Sequence, residues 1–156
     1  MSGLAPRVPG SVLDRLLDDG ADPRGQSLRA LQEAVQRDLE ALLNARRPWA
    51  SVPERFAALR GSMLGYGLPD FAAGAFNAPA QREALCREIA QTIRRFEPRL
   101  GQVVVRLVDR PDAMEPVLRI RIEAVLRVAG ADEPVGFETL LDTTTTDLVV
   151  RPGSRV

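Results

Sequence analysis

At 156 residues with 45% hydrophobic content, the chain is sized for one domain with a real core and is small for a two-domain enzyme. Its 21 basic residues balance its 21 acidic ones, so no net field draws it to nucleic acid or to an acidic membrane surface. Histidine is absent and cysteine occurs once, which excludes His-based triads, ordinary zinc sites and an intrachain disulfide framework.

Any enzyme of this composition has to work with carboxylates or with Ser, Thr, Tyr or Arg. The sequence contains no lysine, so every side-chain cation is an arginine. A genomic bias toward Arg and Ala codons explains that, and so does selection of the planar, bidentate guanidinium at protein interfaces. The two explanations are compatible. The single Cys86 fits a reducing compartment. No apolar run reaches the roughly 18 residues that a membrane-spanning helix needs, and Met1 to Arg7 lacks the apolar stretch of an export signal. The expectation is a soluble cytoplasmic protein without a cofactor.

In chain order, residues 1–26 read as a flexible segment, Pro- and Gly-rich at its start. It carries a short Ser-capped helix at about 11–17 with Val12, Leu13, Leu16 and Leu17 on one side. Such a helix is unstable alone, so it docks on its own domain or serves a partner. Ser27 opens the first long helix, to about Asn44, with Leu28, Leu31, Val35, Leu39 and Leu42 as one stripe. Arg46-Arg47-Pro48-Trp49 reads as a loop, with Trp49 folded onto the core or facing a partner. Ser51-Val52-Pro53-Glu54 is a capping-box pattern that starts a short helix to about Arg60. Gly65-Tyr66-Gly67 lacks the strand–loop–helix setting and the lysine of a phosphate loop, and predicts a compact turn with Tyr66 and Phe71 tucked inward.

A second long helix is predicted from Asn77-Ala78-Pro79 to about Arg95. Leu85, Ile89, Ile93 and Phe96 form its buried stripe, with Cys86 beside them as a small core residue. Alternation of period two then takes over. Val103, Val105 and Leu107 share a face; after a turn at 109–112, so do Leu118, Ile120, Ile122, Ala124, Leu126 and Val128. After a second turn at 130–133, Val135, Phe137, Thr139 and Leu141 continue the pattern, and the run of threonines at 143–146 leads to an edge strand at Leu148-Val149-Val150. The predicted fold is α+β, a single domain over 27–150 with N-terminal helices packed on an antiparallel β-meander, followed by a tail at 151–156.

The junction between helix and sheet is Glu97-Pro98-Arg99-Leu100. Pro98 lacks an amide hydrogen and disfavours helix at Glu97, so the helix stops there. On an extended continuation Glu97 and Arg99 share one face, while Phe96, Pro98 and Leu100 turn to the core. A carboxylate beside a helix C-terminus is disfavoured by a few tenths of a kcal/mol, and Arg99 is its compensating partner. Two readings stay open on these grounds: a salt bridge that braces the corner, or a pre-positioned charge pair offered to a partner protein.

Five phrases occur in order. They are Ser11-Val12-Leu13-Asp14-Arg15-Leu16, the run from Arg37-Asp38-Leu39-Glu40 through Asn44-Ala45-Arg46-Arg47, Ser62 with Tyr66-Gly67-Leu68-Pro69-Asp70, Phe96-Glu97-Pro98-Arg99-Leu100, and Phe137-Glu138-Thr139. Together they resemble the TssE family of type VI secretion baseplate subunits and its phage-tail wedge relatives, over roughly residues 11 to 142. The family's Asn-Thr-Arg is Asn44-Ala45-Arg46 here, which removes a hydroxyl. The resemblance implies a non-enzymatic structural subunit on which a contractile sheath is started. It implies as partners the wedge subunits TssF, TssG and TssK, the spike hub and the sheath, with no nucleic acid and no membrane insertion, in a cytoplasmic baseplate docked at the inner-membrane complex. It also implies that Glu97, Pro98, Arg99 and Leu100 bind partners. A "lysozyme-like" label attached to the family supplies the enzymatic alternative, with Glu97 as the acid. Arg94, Arg95 and Arg99 flank it and favour its ionised form, which makes it a poor general acid. A generic cytoplasmic adaptor is the third reading.

Overall fold

Apolar spacing sets the first helix. In the computed structural model, which describes residues 28–47, 54–71, 78–108, 117–128 and 131–153, α1 runs Leu28–Asn44 and buries Leu31, Ala34, Val35, Leu39, Leu42 and Leu43. The expected stripe is therefore the core stripe, with Leu28 packed at its margin. Burial of each such leucine stabilises by about 1.5–3 kcal/mol, which is what holds a 17-residue helix that would be marginal by itself. The second long helix, α3, spans Pro79–Phe96. Pro79 occupies its first turn, where a missing N–H costs nothing, and Gln81 Oε1 accepts from the Ala78 N–H at 3.4 Å. Leu85, Ile89 and Ile93 are buried as expected; Phe96 and Cys86 are only half-buried, so the thiol lies at the rim of the core.

Between the two long helices the chain differs from its reading. Arg46–Arg47 is a two-residue strand, β1, pairing in parallel with β2, Leu68–Pro69. A 3₁₀ turn at Glu54–Phe56, the one-turn helix α2 at Ala57–Arg60 and a second 3₁₀ turn at Met63–Gly65 lie between them. Among the described residues of this stretch the buried hydrophobic side chain is Leu68, whereas Tyr66 is 39% exposed and Phe71 half-buried. The glycine pair serves backbone approach. A Cβ on Gly65 would sit 2.2 Å from the Arg60 carbonyl oxygen, and one on Gly67, at φ +92°, 2.2 Å from that of Ala45. Those clashes explain Gly-x-Gly without a phosphate.

Strands β3 (Leu100–Leu107), β4 (Val117–Val128), β5 (Ala131–Asp142) and β6 (Leu148–Pro152) form one antiparallel sheet in sequence order. Pairs such as Ile122 with Phe137 and Ala124 with Val135 lie on the face that meets the helices, as the alternation requires. The β4–β5 register continues to Val128 opposite Ala131, so residues 131–133 belong to a strand and the predicted turn is shorter. The threonine tract is a turn: Asp142 Oδ1 accepts from the N–H groups of Thr144 (2.7 Å) and Thr145 (3.2 Å). A side chain that binds its own downstream backbone outcompetes β-propensity there. Strand β6 continues through Pro152, two residues into the expected tail. The short helix at about 11–17, Trp49, Ser51, Asn77 and the turn at 109–112 lie outside the described residues.

The outer edge of β6 is closed by α1. Asn44 accepts from the Leu148 N–H (2.9 Å) and donates to the Leu148 carbonyl (2.7 Å). One and two turns earlier, Glu40 accepts from the Val150 N–H (2.9 Å) and Gln36 donates to the Val150 carbonyl (2.9 Å). Three side chains spaced by four residues thus replace a fifth strand. Arg46 extends the closure, donating to the Leu43 carbonyl (3.0 Å) and to the carbonyl and hydroxyl of Thr146. The two polar members of Asn44-Ala45-Arg46 therefore bind one hairpin. Asn44→Ala should lower stability by about 1–3 kcal/mol, the cost of leaving buried main-chain groups unpaired. Urea unfolding measures that loss, and native-state hydrogen exchange should show faster exchange of the Leu148 amide.

Candidate functional site

The corner at the end of α3 is built by hydrogen bonds around a proline. The Glu97 N–H completes the helix on the Ile93 carbonyl (2.8 Å), and the Leu100 N–H returns to the Glu97 carbonyl (3.1 Å). Pro98 and Arg99 are the central residues of this turn, and a fixed φ suits proline to the first of them. The Arg127 N–H then donates to the Arg99 carbonyl (2.8 Å), which starts the pairing of β3 with β4. The segment is thus a tight turn where an extended continuation was expected. Two positions change accordingly: Pro98 is exposed and Glu97 is buried at 5% exposure, while Leu100 lies in the core as expected, at 4%. A helix stop followed immediately by a strand forces the reversal.

The charge pair foreseen at this corner exists. Arg99 Nε and its own amide donate to Glu97 Oε1 at 2.7 and 3.2 Å, and Nη2 donates to Glu97 Oε2 at 2.5 Å. The same Nη2 also reaches Asp38 Oδ2, on the polar side of α1. Two carboxylates therefore share one guanidinium, and helix α1 is tied to the α3–β3 corner. The Arg99 pKa lies above its ordinary value, chiefly through the hydrogen bond to Glu97; burial opposes the shift and Asp38 adds to it. A charge-assisted, two-pronged contact of this kind is stronger than an exposed ion pair.

Tyr66 completes the surroundings. Its ring meets Phe96 edge-on, with centroids 5.3 Å apart and planes at 72°, so the 54–69 stretch leans on the last residue of α3. Nearby, Arg47 pairs with Glu88 of α3. Of the four residues predicted to bind partners, the structure brings Glu97 and Arg99 into contact, leaves Pro98 at the surface and places Leu100 in the core. Sequence reasoning gave Asp38 no role at the site and read Tyr66 only as an inward residue of a turn. Asp38 stands 61 positions from Arg99, and local spacing says nothing about contacts at that separation.

With this geometry in place, the comparisons with known proteins are specific. Residues 29–131 match the family described as baseplate wedge protein gp25, and the chain belongs to that family. It is also similar to the anti-adapter protein IraD of Salmonella arizonae, with 30% identity over 131 residues, 84% of this chain and 87% of IraD. The α+β fold, the four-stranded antiparallel sheet and the family membership agree with the sequence reading.

Tyr66 is the one tyrosine of the chain, so its titration can be followed alone. Burial raises its pKa first, and the negative charges of Asp38 and Glu97 raise it further. The folded pKa thus exceeds the unfolded one, so this contribution is fully present below about pH 10 and is lost as pH rises through the folded value. Phenolate absorbance should appear at higher pH in the native protein than in urea. In Asp38→Asn it should move part of the way back.

Proposed function

We propose that the chain is a non-enzymatic baseplate subunit of a type VI secretion system, TssE-like, which joins wedge subunits and starts assembly of the contractile sheath. Membership of the gp25 wedge family supports the baseplate role, and the observation that carries the docking reading is the braced corner. Glu97 is the inner half of the pair and serves as an anchor; the outward members are Pro98, the exposed edge of Arg99 and Asp38, whose side chain is 53% accessible. A partner then meets a rigid proline turn with a positioned guanidinium, and charge complementarity fixes its register. TssF, TssG, TssK, the spike hub and the first sheath ring are the partners of this reading, in the cytoplasm.

The lysozyme-like alternative asks Glu97 to donate a proton as a general acid. Its two oxygens accept three hydrogen bonds from Arg99 and its side chain is only 6% accessible, so it is braced inside the fold rather than presented to a substrate. The likeness to IraD favours a different second reading, in which the chain is an anti-adapter that binds and occupies an adaptor protein.

Co-purification of tagged variants with wedge and sheath subunits distinguishes these readings. Pro98→Glu and Asp38→Ala alter exposed positions; each should keep the native circular dichroism and lose wedge or sheath capture by about tenfold or more. Folded variants that still seed sheaths would refute the docking site. A chain that captures an adaptor protein and no baseplate subunit would favour the anti-adapter reading. Release of muropeptides from peptidoglycan, lost in Glu97→Gln, would restore the enzyme.

A further inference from the structure

A second feature lies where α3 runs beside β3. Between α3 and the outer edge of β3 runs a groove of about 570 Å³. Its aliphatic floor includes Val104, Val105 and Leu107, and its rim carries Arg87, Arg94 and Arg106. Glu83 is the acid at this rim, paired with Arg87 only at 3.7 Å. Among the described residues, three guanidinium groups against one carboxylate make a local excess of positive charge in a chain whose total charge is zero. All three arginines are exposed.

The backbone of β3 adds a second observation. The Val108 N–H donates across to the Arg119 carbonyl (2.9 Å). By the alternation of an antiparallel ladder, the main-chain groups of Val105 and Leu107 therefore face the groove. Helix α3 covers part of this edge: Arg94 donates to the Val103 carbonyl at 2.5 Å, and the Leu107 N–H is turned to the Cys86 thiol. Ala90, between Cys86 and Arg94 at four-residue spacing, has no polar group to offer Val105. The β6 edge, by contrast, is held by α1 at two of its outward residues, Leu148 and Val150.

We propose that this groove is a docking site for an extended acidic peptide segment of a partner protein. The N–H and C=O of Val105 would anchor its main chain, and Arg87 and Arg106 its carboxylates. The groove follows α3 from Glu83 to Arg94, about 17 Å at the helical rise, which about five extended residues span. Among the described residues no aromatic ring lines the groove, so they give a nucleic-acid base nothing to stack on, and the aliphatic floor suits side chains such as valine.

The probe is a fluorescein-labelled peptide of about eight residues alternating glutamate and valine, titrated against the full chain by anisotropy. It should bind, weaken with added salt, and shift the amide resonance of Val105. Its lysine–valine counterpart should bind at least about tenfold more weakly. Arg87→Glu alone should weaken the acidic peptide, and Arg87→Glu with Arg106→Glu should weaken it about tenfold or more with unchanged circular dichroism. Absence of binding, equal binding of the two peptides, indifference to the arginine changes, or tighter binding of a single-stranded oligonucleotide would each overturn the proposal.

Discussion

The Arg99 guanidinium, held between Glu97 and Asp38, is the contact on which the arrangement of helices and sheet turns. It joins the polar side of α1 to a corner 61 positions on, where the end of α3 meets the residue before β3. The two halves of the contact differ in weight. Removing one partner of a buried ion pair costs about 3–5 kcal/mol because the other is left uncompensated, and the Glu97 side chain is only 6% accessible. Asp38 is half in water, where such a pair contributes about 1 kcal/mol or less. Glu97–Arg99 therefore sets the corner, and Asp38 sets how α1 leans on it.

This division of labour reconciles the two roles considered for the Glu-Pro-Arg-Leu segment. A buried carboxylate held by its neighbour's guanidinium braces the fold. The same brace fixes the orientation of the exposed proline and of the outer guanidinium edge, which supports a docking role. Brace and docking surface are two sides of one turn. The sheet follows a related economy. Helix side chains from α1 occupy the β6 edge through Gln36, Glu40 and Asn44, and α3 occupies part of the β3 edge through Arg94 and Cys86. Unpaired strand edges invite pairing with other chains; here α1 holds one edge at Leu148 and Val150, and on the other no described side chain covers Val105, beside arginines.

Periodicity made most of the fold legible. The three-and-four spacing of α1 and α3 and the alternation through β4 and β5 correspond residue by residue to the buried faces. The departures share a cause, which is the side chain or backbone partner far away in sequence. Arg46-Arg47 reads as loop because its strand partner, Leu68-Pro69, is 22 positions on. The run of threonines, whose residue type favours strands, is a turn because the Asp142 cap is a matter of geometry rather than propensity. Pro98 was expected inward because an extended chain was assumed after the helix, whereas the Leu100–Glu97 hydrogen bond turns it outward. At the site, adjacency in sequence exposed the Glu97–Arg99 pair; the reach of Arg99 to Asp38 and the contact of Tyr66 with Phe96 came only with the fold.

A double-mutant cycle on Glu97→Gln and Arg99→Met, read by urea unfolding, tests the central claim most directly. The account predicts that the two residues stabilise each other by about 1–3 kcal/mol, with Arg99→Met alone more destabilising than Asp38→Asn. A coupling indistinguishable from zero, with single changes no costlier than Asp38→Asn, would contradict it.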